Sequence, residues 1–340
     1  MKRVSELDSI QLRDSIVTLG KFDGCHLGHL KLFETAVSLK GNGTGKSVVI
    51  FTFNIHPSRL LEDPELRTIQ TREERMAYAY PEGVDYVIEF PFNRITMSMQ
   101  PEEFVQEILI RRLDARAIVC GNDFRFGKGR SGDVETLQKL GLMYGFEVVA
   151  VPKVKVRPDP DGPDIEISST RIKAEIRKGN MELVTAMLGR PYSLTGEVLH
   201  GKRLGRTVGF PTINQRAPEG KLLPPDGVYA VTVRIPQEPF GSTERAGSAE
   251  QAERRELWFQ GITNIGIRPT FDDGDARTVE TFLFDFDRDL YGQTVTVEFC
   301  HYIRPERKFF GVSQLKEQME KDRETAEAYF EASIKTPANR

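Results

Sequence analysis

The chain has 340 residues, with 47 Lys and Arg against 50 Asp and Glu and a formal net charge of −3. That length favours two domains, each large enough to bury its own core. The near balance of charge argues against a nucleic-acid binder, whose footprint is basic, while leaving room for a small basic pocket for phosphates.

The first 15 residues, MKRVSELDSIQLRDS, have no apolar core and do not read as a signal peptide. From there strands and helices alternate. Residues 16–19 form a short apolar run, and Leu30, Phe33 and Val37 recur at helical spacing. Residues 47–53 (SVVIFTF) are β-branched and aromatic, which predicts a strand. A helix is expected over 71–80, a strand over 84–90 and a helix from Pro101, a favoured first-turn position. Strands are expected over 115–120 and 146–151, with a helix over 134–144 between them. Such alternation predicts a mostly parallel, Rossmann-like α/β sheet with helices on both faces.

The rhythm changes at LGRPY, residues 188–192, where Gly and Pro punctuate the chain. The boundary is therefore placed between 188 and 189, giving domains 1–188 and 189–340. Beyond it, residues 194–199, 228–235, 256–263, 278–286 and 294–299 all read as strands, followed by one helix over about 314–332. Strands without intervening helices predict an antiparallel sheet or barrel. In the helix, Leu315, Met319 and Ala326 are expected to face inward. Residues 236–256 have no aliphatic side chain except Ala and read as a flexible surface loop.

Cys25, Cys120 and Cys300 are far apart and suggest neither a zinc site nor a disulfide framework. No apolar run approaches bilayer-spanning length. A soluble cytoplasmic protein with three reduced thiols is expected, with neither membrane nor nucleic acid as a partner.

The densest chemistry lies in residues 18–29, TLGKFDGCHLGH. A strand ends, a glycine-bearing turn follows and a helix begins near Gly28 or His29. In open α/β sheets ligands bind at the carboxyl ends of strands, and a helix start offers N–H groups to a phosphate. Gly20, Gly24 and Gly28 allow close backbone approach. His26 and His29 could donate to phosphoryl oxygens as charge develops at an α-phosphate. Two surface histidines beside a turn are the bland alternative to HxGH taken alone; the preceding GxFDG weighs against it. Two later segments fit the same site. The loop CGNDFRFGKGRSGD (120–133) offers Asp123 to a sugar or base and Arg125 or Arg130 to phosphate. ISSTRIK (167–173) opens a helix on Ser168 or Ser169 as N-cap.

GKFDGCHLGH, the GNDFRFG loop and ISSTRIK together resemble the adenylyltransferase module of bacterial bifunctional riboflavin kinase/FAD synthetases, a branch of the HxGH nucleotidyltransferases. The resemblance implies that Gly20, Phe22, Asp23, Gly24, His26 and His29 line an ATP site with Asp123, Ser169, Thr170 and Arg171, and that the two histidines are catalytic. Lys21, Asn54 and Lys173 depart from the family's usual Asn or Ser, acidic residue and Arg.

The second half lacks a Walker loop but contains GKRLGRTVGFPTIN (201–214). Its glycines could wrap phosphates, with Lys202, Arg203 and Arg206 adding charge. Thr212 and Asn214 share a face of an extended segment and offer oxygens suited to Mg²⁺. In TVETFLFDF (278–286), period two puts Glu280 on the face of Phe282, Phe284 and Phe286. A carboxylate there could be a general base, or an edge-strand Glu reaching solvent. These segments, with GVYAV, GITNIGIRPTF, DLYG and IRPERKF, resemble the riboflavin kinase module, a small antiparallel β-barrel with a C-terminal helix. That likeness implies ATP and Mg²⁺ at Gly201, Lys202, Gly205, Thr212 and Asn214, with Thr212 and Asn214 on the metal. It also implies Glu280 as base and Arg304 and Glu306 beside the flavin. The expected substrates are riboflavin, FMN and ATP. The competing readings are another HxGH enzyme, such as a class I aminoacyl-tRNA synthetase, and a non-catalytic flavin-binding protein on the same scaffold.

Overall fold

The computed structural model describes residues 1–5, 10–41, 45–61, 63, 66–200, 210–236, 256–267 and 277–335. Most of the loop expected at 236–256, the phosphate-loop candidates Gly201, Lys202 and Gly205, and residues 268–271 of GITNIGIRPTF lie outside the described residues. The chain divides into two compact units, Met1–Ile172 and Lys173–Arg340.

The first unit is built on β1 (Lys2–Val4), β2 (Ser15–Leu19), β3 (Ser47–Phe53), β4 (Tyr86–Phe90), β5 (Ala115–Gly121) and β6 (Glu147–Val151). They form one six-stranded sheet in the order β1-β4-β3-β2-β5-β6, with parallel pairings throughout. All five residues of β2 (SIVTL) are buried, as a central strand covered on both faces requires. From β2 the chain builds outward through β3 and β4 on one side, then crosses to β5 and β6 on the other. The topological switch therefore lies between β2 and β5, and a ligand crevice is expected at their carboxyl ends. On one face, α1 (Leu27–Ser38) packs Leu32, Phe33 and Ala36 against Ile16, Val48 and Val87. On the other face, two further helices cover Val17, Val49 and Ile118. These follow α2 (Pro57–Leu61) and α3 (Arg72–Ala77) in the chain. They are α4 (Pro101–Phe104), continued by a π-helical stretch Val105–Arg112, and α5 (Val134–Tyr144). A short pair, β7 (Lys155–Val156) and β8 (Ile165–Glu166), precedes α6 (Ser169–Lys178), which runs across the division.

β1 was not foreseen. Residues 2–4 pair with β4 at the edge of the sheet, where three residues suffice because their partner strand, not their own apolar pattern, specifies them.

The second unit contains α7 (Met181–Leu188), β9 (Tyr192–Glu197), β10 (Thr212–Arg216), β11 (Gly227–Pro236), β12 (Glu256–Ile267), β13 (Arg277–Leu283), β14 (Thr294–Arg304) and α8 (Val312–Lys335). Its sheet has the order β10-β13-β12-β11-β14-β9, each pair antiparallel. The sheet curls until its ends meet. Leu199, just past β9, bridges to Asn214 of β10, and the Gln215 amide donates to the carbonyls of Gly196 (2.8 Å) and Val295 (3.1 Å). This is the barrel expected from the strand pattern. α8 packs Ala326, Phe330 and Met319 against Val228, Ala230, Ile262, Phe282 and Phe284.

One pattern reading is corrected here. Phe282 and Phe284 lie under α8, but Phe286 does not share their face. Asp285 turns the chain with φ of +51°, and the Phe286 ring packs on Phe259, 4.8 Å away. Phe259 stands three places from Ile262 in β12, hence on the opposite side of the sheet. The strand ends at Leu283, and period two carries only as far as Phe284.

α7 falls with the second unit although it precedes the Gly/Pro punctuation. Met181, Val184, Met187 and Leu188 are buried, and Glu182 meets His301 of β14 at 2.5 Å. A fragment starting at Asn180 is therefore expected to melt at least about 5 °C above one starting at Gly189, because the shorter piece exposes apolar surface on β9 and β14. Equal melting temperatures in a thermal scan would show that α7 contributes nothing to the second unit's core.

Candidate functional site

The turn between β2 and α1 is dense in unusual backbone. Phe22, Gly24 and Cys25 have φ of +49°, +91° and +40°, so three of four consecutive residues, two of them not glycine, hold left-handed conformations. Phe22 is fully buried. Its ring lies over Gly20, where a Cβ would stand 2.5 Å from it, so glycine is required at that position. Asp23 is 2% exposed. Its Oδ1 accepts from the backbone N–H groups of Ile69 (2.8 Å) and Gln70 (3.3 Å), while its carbonyl accepts from the Ser169 hydroxyl (2.9 Å). Asp23 thus ties the turn to the approach to α3 and to the start of α6.

This frame delivers the two histidines. His26 is the N-cap of α1: its Nδ1 accepts from the His29 N–H at 3.3 Å. An accepting Nδ1 means that neutral His26 carries its proton on Nε2. The two imidazoles stack with centroids 3.6 Å apart and planes 17° from parallel, and the Phe22 ring meets His29 edge-on at 5.2 Å. Both rings stand at the start of a twelve-residue helix, at the carboxyl end of β2, beside the switch in strand order. The arrangement offers stacked N–H donors and a positive dipole end to an anion.

Asp123 lies in the loop after β5, across the switch, and pairs with Lys153 (3.4 Å), which also holds Glu166 (2.6 Å). Arg125 pairs with Asp133 at 2.7 Å. Asp133 caps α5, and the Thr136 backbone N–H holds its carboxyl below the usual carboxylate range. Just before that loop, burial and then the Asp123 charge push the Cys120 thiol up to about 12, so it stays protonated and is no nucleophile. Ser168 supplies the side-chain cap of α6, accepting from Arg171 N–H at 3.2 Å. Thr170 and Arg171 are exposed. Asn54 has a structural partner: its Oδ1 accepts from Phe92 N–H at 2.9 Å.

In the second unit the strand register assembles a row. Asn214 pairs with Glu280, Glu280 with Asn264, Asn264 with Val228 and Val228 with Arg304. Thr212 lies two residues from Asn214 on the same face. Glu280 is half-buried. The Asn264 amide donates to the Glu306 carboxylate at 3.1 Å. Arg304 is held from below by Asp322 of α8, with its Nε and Nη2 at 2.8 and 2.6 Å from the carboxylate. Asn264 and Asp322 were missed by sequence reading. Asn264 could have been found from the register alone, since it stands opposite Glu280. Asp322 falls on the inward face of α8 with Met319 and Ala326, where spacing marks it as a buried charge in need of a partner. A cleft of about 380 Å³ opens beside Thr212, lined also by Pro211, Phe286, Arg288, Leu290 and Tyr291.

Residues 8–171 match the family described as FAD synthetase, and residues 188–330 match the one described as riboflavin kinase. A bifunctional riboflavin kinase/FMN adenylyltransferase of Bacillus subtilis is 33% identical over 321 residues, covering 93% of this chain and 92% of that protein. The protein of the same description from Haemophilus influenzae is 34% identical, covering 94% and 95%. The chain belongs to the bifunctional riboflavin kinase/FMN adenylyltransferase family. It is an enzyme of FAD biosynthesis: it phosphorylates riboflavin to FMN and adenylylates FMN to FAD, with ATP as co-substrate. Over nearly its whole length the enzyme is also similar to a crystal structure of a Streptococcus pneumoniae protein described as a macrolide-efflux protein. Identity is 33% and the TM-score 0.76, with 96% and 98% of the two chains covered. That description is the Streptococcus protein's own. Among the described residues of this enzyme, no helix is long and apolar enough to cross a membrane.

Gly20→Ala is expected to push the Phe22 ring out of its seat and shift the His29 edge with it. FAD formation from FMN should fall about tenfold or more, while riboflavin phosphorylation stays near wild type. A Gly20→Ala enzyme with full adenylyl transfer would show that the Phe22 seat does not position the histidines.

Proposed function

We propose that each reaction is run by the residues assembled above, with adenylyl transfer in residues 1–188 and phosphorylation in residues 189–340. In the first, a phosphate oxygen of FMN attacks the α-phosphorus of ATP and pyrophosphate leaves. His26 and His29 donate to the α-phosphate oxygens as charge builds on them. The α1 N-terminus and the backbone around Gly20, Phe22, Asp23 and Gly24 receive the phosphates. Asp123, Ser169, Thr170 and Arg171 bound the rest of the nucleotide. The observation that carries this half is the stacked histidine pair at a helix start beside the switch point.

In the second reaction Glu280 takes the proton of the ribityl 5′-hydroxyl. The freed oxygen attacks the γ-phosphorus of ATP, giving FMN and ADP. The cleft beside Thr212 is read as the nucleotide's place. The oxygens of Thr212 and Asn214, on one face next to Glu280, fit a hard Mg²⁺ ion brought with ATP. Bound there, the ion supplies charge neutralisation at the phosphates. Thr212 and Asn214 would hold it, and Glu280 holds and moves the proton. Gly201, Lys202 and Gly205 are read as the phosphate loop, and Arg304 and Glu306 as the flavin side. The register that sets Asn214 beside Glu280 carries this half. Neither reaction needs a covalent enzyme intermediate; positioning and charge stabilisation suffice. The enzyme is read as cytoplasmic, with riboflavin, FMN and ATP as its partners.

Two variants of the full chain test the assignment. His29→Ala is expected to slow FAD formation from FMN about 10²- to 10³-fold and to leave FMN formation intact. Glu280→Gln is expected to abolish FMN formation, because an amide cannot accept the hydroxyl proton, and to leave FAD formation from added FMN intact. An assay separating FMN from FAD reads both; turnover by either variant in its own step removes that residue from its role.

A further inference from the structure

The face that carries Glu280 has a second carboxylate, and the chain builds a seat for it. Glu306 follows β14 in an exposed stretch, where a long side chain ordinarily samples many positions. Here its head is fixed by two residues of β12. The Asn264 amide donates to Oε1 at 3.1 Å. Two residues along the same face, Gly266 leaves open the space the carboxylate fills: a Cβ built there would overlap Oε1 and Oε2. Gly266 is buried and its φ lies outside the left-handed region, so backbone conformation does not demand glycine at this point. The close approach of the Glu306 carboxylate does.

From this geometry we infer that Asn264 and Gly266 are positioning residues for riboflavin, acting through Glu306. The inference rests on the reading of Glu306 as a flavin-side residue. Asn264 stands directly opposite Glu280, one strand spacing of about 4.8 Å away. A carboxylate held beside Asn264 therefore lies within reach of the polyol whose terminal hydroxyl Glu280 deprotonates. Ionised Glu306 only accepts hydrogen bonds, and the ribityl hydroxyls are donors. Asn264 meets Glu306 with its N–H₂ and so orients the remaining carboxylate lone pairs toward substrate. Without the seat, the Glu306 head regains its rotamers, and the substrate must order it on binding.

The test is a double-mutant cycle on the full chain, read as riboflavin KM in FMN formation. Circular dichroism and thermal melting of the same preparations report that the second unit is folded. Glu306→Ala is expected to raise the riboflavin KM about tenfold, the size of a lost hydrogen bond to a charged group. Gly266→Ala should raise it in the same direction, because the new methyl group displaces only the end of a flexible side chain. Asn264→Ala should do likewise. In all three, KM for ATP should move far less than KM for riboflavin. In the Glu306→Ala background, neither Gly266→Ala nor Asn264→Ala should add a further increase. Effects that persist undiminished in that background would overturn the inference, since the residues would then act by another route. An unchanged KM in the Gly266 and Asn264 single variants, with a raised KM in Glu306→Ala, would also overturn it while leaving Glu306 on the flavin side. A silent Glu306→Ala would sink the flavin-side reading and the inference together. Should Gly266→Ala fail the folding control, the Asn264 arm of the cycle decides alone.

Discussion

Asp23 is a buried carboxylate whose hydrogen bonds reach two distant parts of the first unit. Its side chain accepts from Ile69 and Gln70, 46 and 47 residues along the chain, and its carbonyl accepts from Ser169, 146 residues away. Desolvating a charge is costly unless it is bonded, and bonds from backbone N–H groups are of the strong, charge-assisted kind. The neighbouring left-handed φ values of Phe22 and Cys25 are the sort that persist only when surroundings over-determine them. Asp23, the Phe22 ring over Gly20 and the contact of Gly24 with Ile69 provide those surroundings. With the turn fixed, His26 can cap α1 through Nδ1, and the two imidazoles stack. Three segments separated in sequence are thereby held together.

The second unit reaches phosphate chemistry by another route. Its candidate groups are side chains on neighbouring strands, set in line by register rather than gathered by a helix start. Asn214, Glu280 and Asn264 stand side by side because β10, β13 and β12 pair without a shift there. A one-residue slip of any one of these strands would turn its own member of the row to the opposite face. Closure of the barrel by Gln215, and packing of α8 over Phe282 and Ile262, guard against that slip. The Arg304–Asp322 pair fastens α8 to the end of β14 next to the same row. Its buried member, Asp322, would be an uncompensated charge without Arg304, so the two hold each other's geometry.

Much of this was legible in the sequence. The strand–helix alternation, the long helix at the end and the all-strand second half follow from periodicity. The turn that carries His26 and His29 was legible because it lies in one twelve-residue stretch between a strand and a helix. What was not legible depended on distant partners. Asp23 reads as a ligand in a motif and stands in the structure as a clamp, because its partners lie across the fold. β1 has too few residues to show a pattern. Phe286 broke the alternation because Asp285 turned the chain at a place where no glycine or proline marks a turn. α7 belongs with the second unit because its buried face meets β9 and β14, whereas Gly and Pro mark only where the chain bends. Gly266 reads as a strand glycine, and its reason appears only when Glu306, 40 residues later, is seen in its place.

If each unit carries a complete site of its own, FMN made in one can pass to the other as a free intermediate. Mixing the His29→Ala and Glu280→Gln enzymes tests this directly. Each alone, given riboflavin and ATP, should make no FAD beyond trace. Together they should make it, since one supplies FMN and the other adenylylates it. A mixture that accumulates FMN but no FAD, with the Glu280→Gln enzyme active on added FMN, would contradict free passage. A mixture that forms neither product would contradict the division of the two reactions between the two sets of residues.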